Sequence, residues 1–320
     1  MSTVYVFGHK HPDNDSICSA VGAAYFLNMT DGDGNEYIPA RLGPLPRETA
    51  WVFERFGAAD QLPDELPAFD DPHDLSCVLV DHNEVAQSWD GIEETDLRMV
   101  IDHHRIGDIQ TAGPITFINK PLGSTATITV LEFQHAHVEM PDWLAGVLFS
   151  AMLTDMVILK SPTTTDADRR LAAELAERLG LDIVEFGMEL FNMRQKDVEF
   201  DPDRILLEDL KEYEAGGIRI AIGAYESVSL DLVEKHRDTI YKAMGPLATE
   251  NGWGLFLFMA SDVIKEGTEL FVVGMTGTVE LVEKAFDADF SSGSAWLPGV
   301  LSRKKQVAAA ILKAAGEEDH

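Results

Sequence analysis

The sequence predicts an α/β protein of two domains: an N-terminal doubly wound domain on a mainly parallel sheet, and a smaller C-terminal α/β domain with a mixed sheet. Three observations carry that prediction. A chain of 320 residues is about two domains long, each able to bury a core of its own. Continuous apolar runs at residues 4–7, 77–80 and 99–101 read as strands buried on both faces, and helical stretches separate them, as in a parallel sheet covered by helices. Each run ends without turn residues in polar and ionisable ones: Gly8-His9, Asp81-His82-Asn83-Glu84 and Asp102-His103-His104. Ligands gather beyond the carboxyl ends of parallel strands, so these three ends are expected to share one crevice.

Residues 8–15 read as a loop after the first strand, and 16–27 as the helix that follows. Pro12 is expected to hold His11 extended, and Asp13, Asn14 and Asp15 are all able to cap the helix. One cap needs one side chain. Two aspartates and a histidine in seven residues exceed that need, which points to metal ligation by His9, Asp13 and Asp15. Asp31-Gly32-Asp33-Gly34-Asn35-Glu36 copies a calcium loop only in outline, because Glu36 stands where the sharp turn needs Gly and Leu42 where a bidentate Glu belongs. It reads as a surface turn, and residues 57–75 as an exposed connection.

Gly123-Ser124-Thr125-Ala126-Thr127 opens another helix, with Ser124 or Thr125 as its cap, a role that competes with a phosphate contact. Residues 144–159 read as a long apolar helix carrying a single charge, Asp155. Burying an unpaired carboxylate is costly, so Asp155 must be paired, protonated or bound to a metal, and metal is the favoured reading. A helix over 166–179 precedes the polar run 194–203, which marks the domain boundary: domain one over 1–194, a linker or hinge over 195–202, domain two over 203–320. Residues 218–224, 255–260 and 270–274 read as strands of domain two. Near the end, Leu301-Ser302-Arg303-Lys304-Lys305-Gln306 sets three adjacent cations at a helix start, an unfavourable place for them unless an anion provides balance. Arg offers phosphate a planar fork and Lys a point charge.

With 55 acidic against 25 basic residues the net charge is −30, which argues against a nucleic-acid backbone or an anionic membrane as partner. Such a coat suits a salty cytoplasm, where counter-ions screen its self-repulsion, and solubility alone accounts for it equally well. Cys18 and Cys77 read as reduced core thiols. No basic leader opens the sequence and no apolar run is long enough to span a membrane, so the expected location is cytoplasmic. Neither G-x-G-x-x-G nor the P-loop pattern occurs, and His135 and His137 have no acidic motif beside them.

Two neighbouring imidazoles in an extended segment point to opposite faces, so His103 and His104 are expected to do different jobs. His9, Asp13, Asp15, Asp81, His103 and Asp155 together make four carboxylates and two imidazoles. That many acids in one crevice repel, and divalent cations neutralise them. Mostly oxygen with some nitrogen suits Mn²⁺ or Co²⁺ better than Mg²⁺. Two ions about 3.5–4 Å apart can hold both ends of an in-line displacement at phosphorus.

From end to end the chain resembles the manganese-dependent family II inorganic pyrophosphatases of the DHH phosphoesterase superfamily. The resemblance rests on Gly8-His9-x-x-Pro12-Asp13-x-Asp15-Ser16-Ile17-Cys18-Ser19-Ala20, Arg41-Leu42-Gly43, Asp81-His82-Asn83-Glu84, Ile101-Asp102-His103-His104-Arg105, Gly123-Ser124-Thr125-Ala126-Thr127, Lys160-Ser161-Pro162-Thr163 and Ser302-Arg303-Lys304-Lys305-Gln306. It implies two Mn²⁺ or more, with Co²⁺ as a substitute and Mg²⁺ accompanying the substrate. One ion would sit on His9, Asp13 and Asp81, the other on Asp15, Asp81, His103 and Asp155, with Asp81 as bridge. It further implies His104 as a substrate contact; Arg303, Lys304 and Lys211 on the leaving phosphate; an active site between the domains; and a homodimer formed by first domains. Lys211 comes from the resemblance alone, since residues 208–212 otherwise look like a solvated helix face. The implied reaction is hydrolysis of pyrophosphate by water without a covalent intermediate. The alternative is a DHH-type phosphodiesterase or exopolyphosphatase, whose Gly-Gly-Gly-His motif is absent here.

Overall fold

The computed structural model describes residues 2–195 and 200–315. They fall into two compact units that part between residues 196 and 197. Of the linker expected over 195–202, residues 196–199 lie outside the described residues.

In the first unit, strands β1 (Thr3–Lys10), β2 (Glu36–Leu42), β3 (Asp64–Glu65), β4 (Ser76–Val80), β5 (Asp96–Asp102) and β6 (Thr116–Asn119) form one sheet in the order β3-β2-β1-β4-β5-β6. Every pairing is parallel. Continuous apolar runs build the middle of it, as expected. Strands β2, β3 and β6 lacked that signal, and β3 lies in the stretch expected to be a bare connection. The helices are α1 (Asn14–Thr30), α2 (Arg47–Arg55), α3 (Thr125–Ala136), α4 (Asp142–Asp155), α5 (Asp166–Leu179) and α6 (Ile183–Gln195). Ala20, Ala23, Ala24 and Leu27 of α1, with Ile128 of α3, pack on Val4, Val6, Val78, Val80 and Ile101. Behind them α4 is apolar all round because helices enclose it on every side. The opposite sheet face rests on loops and 3₁₀ turns through Leu66, Phe69, Val85 and Trp89, so β4 and β5 are joined without the helix that the sequence suggested.

Order reverses at β1 and β4, whose carboxyl ends therefore flank a crevice open to ligands. Gly8 lets β1 meet the start of α1, since a Cβ there would run into the Ser16 hydroxyl. Helix α4 stops at Asp155 instead of reaching Leu159, and Val157, Ile158 and Leu159 follow with φ of 48°, 54° and 62°. Left-handed backbone costs L-residues roughly 1–2 kcal/mol each, so packing of Ile158 and Leu159 in the core must hold that turn. His11 also has φ 55°, so Pro12 does not keep it extended.

In the second unit, β7 (Leu210–Ala215), β8 (Ile218–Ser227), β9 (Leu255–Asp262), β10 (Gly267–Gly274) and β11 (Ser294–Pro298) give the order β11-β10-β9-β8-β7. The β8–β9 pair is parallel and the others antiparallel, the mixed sheet expected. Helices α7 (Pro202–Leu207), α8 (Asp231–Lys235), α9 (Arg237–Asn251), α10 (Thr278–Phe286) and α11 (Ala309–Ala314) follow the chain around it. Leu206, Ile240 and Met244 cover one face, and Val282, Val307 and Ile311 the other. Residues 208–212 are not a helix face: Lys211 lies on β7, paired with Ile222. Leu210 and Tyr213 stand three residues apart among charged neighbours, a spacing that suits a helix surface, so the edge strand was not legible.

Candidate metal centre and cation pocket

The three polar strand ends do converge. His9 lies near the end of β1, Asp13 caps α1 by accepting from Ser16 N at 2.9 Å, and Asp15 stands in the first turn of that helix. Asp81 follows β4 and has φ 62°, a left-handed conformation that Asp tolerates better than most residues. His103 follows β5, and Asp155 ends α4. His9, Asp13 and Asp81 each offer an atom within 4.8 Å of the others, and so do Asp15, His103 and Asp155. His9 Nε2 is 3.7 Å from Asp13 and 3.5 Å from Asp81; His103 Nε2 is 3.4 Å from Asp81 and 3.5 Å from Asp155.

The imidazoles are preset for this. His9 Nδ1 donates to the Lys10 carbonyl at 2.9 Å and His103 Nδ1 to the Leu122 carbonyl at 3.0 Å. A carbonyl only accepts, so both Nδ1 atoms carry hydrogen and both Nε2 atoms face the acids. His103 Nε2 is buried without a hydrogen-bond partner. Asp15, 1% exposed, accepts from Thr125 N at 2.7 Å, Ala126 N at 2.9 Å and Ser19 Oγ at 3.0 Å. The start of α3 thus serves a carboxylate of this chain, with Ser124 as its cap, which corrects the phosphate alternative for Gly123–Thr127. Thr125 Oγ1 donates to Asp81 at 3.0 Å.

His104 does not point away from His103. The strand has ended at Asp102, so alternation no longer applies, and the two rings lie 4.1 Å apart. What separates their jobs is hydrogen bonding: His104 Nδ1 donates to Asp102 Oδ1 at 2.9 Å, leaving Nε2 on a half-exposed ring.

In the second unit, Lys211, Arg303 and Lys304 line one concavity of about 430 Å³ with Asp209, Tyr213 and Glu226. Arg303 donates through Nη1 to the Asp209 carbonyl and through Nη2 to its carboxylate at 2.9 Å. That carboxylate is the anion needed to balance the cationic start of a short π-helical segment, Arg303–Ala308, which Ser302 caps by accepting from Lys305 N at 3.2 Å.

Comparison with known proteins places the chain in a family. The pattern of the DHH family, N-terminal domain, matches residues 3–152, and that of the DHHA2 domain matches residues 188–314. The chain is 40% identical to a protein of Archaeoglobus fulgidus named probable manganese-dependent inorganic pyrophosphatase, over 98% of each chain. It is 39% identical to the manganese-dependent inorganic pyrophosphatase of Methanocaldococcus jannaschii, over 95% of this chain and 96% of that one. The chain belongs to the family II inorganic pyrophosphatases. A crystal structure of a Methanococcus jannaschii member superposes with TM-score 0.59 at 38% identity, covering 99% of this chain and 100% of that one.

Crowding of acids and imidazoles sets the electrostatics of this cluster. In the cation-free protein, burial disfavours charge on His9, but the hydrogen bond and charge of Asp81 outweigh it and lift its pKa from 6.5 to about 9. Burial likewise opposes charge on His103, and Asp81, Asp15 and Asp155 lift it to about 10. Burial and then repulsion from Asp81 push Asp155 from 3.8 to about 7, and the same two causes raise Asp13 and Asp15. Asp81 is buried too, yet the imidazoles of His103 and His9 that face it hold it low. Protons therefore stand where cations would: acids crowded enough to retain them, and imidazoles that keep theirs past neutrality. Four carboxylates and two preset Nε2 atoms, one of them buried without a hydrogen-bond partner, fit divalent metal.

A pH dependence follows. His9 and His103 have folded pKa values above the unfolded 6.5, so they stabilise the cation-free fold below pH 6.5 and lose that contribution as pH rises through about 9 and 10. Asp155, also raised, loses its share between 3.8 and about 7. Metal needs the deprotonated ligands, so its binding tightens over the same window. The Tm gap between Mn²⁺-loaded and chelator-stripped protein is expected to widen from about pH 6.5 to about pH 9. A gap that stays constant or narrows in differential scanning fluorimetry would count against these assignments.

Sequence reasoning missed the supports. Asn83 and Asp102 lay inside quoted motifs without a role, and Arg194 sat in the presumed boundary. Arg194 Nε donates to buried Glu48 at 2.7 Å, and both line a cleft with Asp13, Asp15 and Asp155. A buried acid at position 48 is invisible in sequence, because charge pattern does not reveal burial. Among the described residues, no helix is long and apolar enough to cross a membrane.

Proposed function

We propose that this protein hydrolyses inorganic pyrophosphate to two phosphates, with divalent manganese held by His9, Asp13, Asp15, Asp81, His103 and Asp155. The observation that carries the reading is the pair of Nε2 atoms, fixed by backbone carbonyls, that face Asp81, one near each of its carboxylate oxygens. Asp81 belongs to both ligand sets. Bound there, divalent cations neutralise the carboxylates, acidify water and polarise phosphoryl oxygens. His104 presents Nε2 to a substrate oxygen while Asp102 holds Nδ1. As water adds to phosphorus and the bridging P–O bond breaks, negative charge moves to the departing phosphate. Arg303 meets that charge with a planar fork, and Lys211 and Lys304 with point charges. No covalent nucleophile is required, since phosphoryl transfer depends on positioning and electrostatics.

The homodimer formed by first domains is part of this proposal. Its support is β6, an edge strand of the parallel sheet on which Phe117 is 39% exposed. Cytoplasmic location is proposed with it.

The test is phosphate release from pyrophosphate after chelator stripping, with Mn²⁺, Co²⁺, Mg²⁺ or Zn²⁺ restored at low and molar KCl. Mn²⁺ or Co²⁺ is expected to restore most activity, as befits mixed nitrogen and oxygen ligands. Silence on pyrophosphate in every condition, with release from polyphosphate or dinucleotides, would replace this reading with the phosphodiesterase or exopolyphosphatase alternative.

A further inference from the structure

Asn83 is 1% exposed, and its side chain grips the segment that carries His104 at three points. Its Nδ2 donates to Asp102 Oδ2 and, at 3.0 Å, to the Arg105 carbonyl, while its Oδ1 accepts from Gly107 N. These points bracket His103 and His104 on both sides in sequence. Asp102, fully buried, uses its other oxygen on that same segment: Oδ1 accepts from His103 N at 2.8 Å, from His104 N at 3.1 Å and from His104 Nδ1 at 2.9 Å. A carboxylate anchored at one oxygen alone can swing about its Cβ–Cγ bond. Anchored at both, it has one orientation, and so has the imidazole hung on it.

We propose that Asn83 is a positioning residue for His104, acting through Asp102. The proposal rests on the reading of His104 as a substrate contact. His104 needs such support more than His103 does. The His103 ring is largely enclosed and Leu122 fixes its Nδ1, whereas the His104 side chain is 54% exposed, so little packing resists its rotation. A contact that must meet a reacting phosphoryl group has to be held within about 10–20° of its productive direction. Asn suits position 83 because one planar group must donate twice and accept once. Asp would set a second carboxylate against Asp102, and Leu would leave Asp102 Oδ2, the Arg105 carbonyl and Gly107 N without this partner.

The test is a double-mutant cycle on the Mn²⁺-loaded enzyme with pyrophosphate, reading kcat, KM and bound manganese. Asn83→Leu is expected to lower kcat about tenfold to a hundredfold, the usual effect of losing an outer support, with manganese content and KM little changed. In the His104→Gln background the same substitution is expected to change kcat less than about twofold, because its target is already gone. Asn83→Ser, smaller and still able to donate once, gives the same pattern at lower amplitude and serves if Asn83→Leu does not fold. Equal losses of kcat in both backgrounds, or loss of manganese, would overturn the proposal. So would a His104→Gln enzyme with unaltered kcat, which removes this proposal alone, whereas a wild-type chain silent on pyrophosphate removes the functional reading and this inference together.

Discussion

Asp81→Asn is expected to yield a folded protein that no longer retains manganese and releases phosphate from pyrophosphate at the blank rate. The carboxylate is 2% exposed and stands 3.5 Å from His9 Nε2 and 3.4 Å from His103 Nε2, and the proposed function places it in both ligand sets. Asn keeps the shape and accepts the φ of 62°, whereas Ala would add backbone strain to the loss of charge. Without that charge the remaining acids Asp13, Asp15 and Asp155 repel less, since Asp81 is the main charge raising each of them. The fold thus loses a partner for two imidazoles while it sheds repulsion among acids. Metal content after gel filtration, circular dichroism and phosphate release separate these effects. A variant that keeps its full manganese content would show that Asp81 is not shared by the two ligand sets.

Arg303→Ala is expected to lose about 10³-fold in kcat, the scale of an arginine that stabilises a phosphoryl transition state, with manganese content unchanged. The Arg303 side chain is 16% exposed and its guanidinium is tied to Asp209 at two points, so its fork is held rather than waving in solvent. It belongs to the second unit, while the six candidate ligands belong to the first. Lys at this position is not expected to restore the rate, because a point charge cannot reproduce a planar pair of donors. Loss of manganese together with activity would mean that the residue has been given the wrong role.

The sequence by itself determined what rests on local chemistry. Apolar runs at 4–7, 77–80 and 99–101 became the central strands of a parallel sheet because residues buried on both faces must all be apolar. Their abrupt polar ends, together with a lone acid in an apolar helix, marked His9, Asp13, Asp15, Asp81, His103 and Asp155, and all six converge. Burying so many charges without partners is too costly to be accidental, so the surplus of ionisable residues at strand ends is itself a signal. Lys211 shows the limit: in a short charged stretch, an edge strand and a helix face look alike, and the pairing with Ile222 decided between them.

Tertiary structure alone decided the orientation of the groups. Alternation suggested that His103 and His104 diverge, but the strand had already ended, and hydrogen bonds to Leu122 and Asp102 set each ring. Capping and a phosphate contact were both open at the start of α3, and Asp15, 110 residues earlier in the chain, takes its N–H groups. Asn83 gained a role only through contacts with residues 19 to 24 positions away. Which side chain is buried, and which donor it meets there, depends on segments brought together by the fold. Composition and spacing supply the chemical groups of this site, and long-range packing aims them.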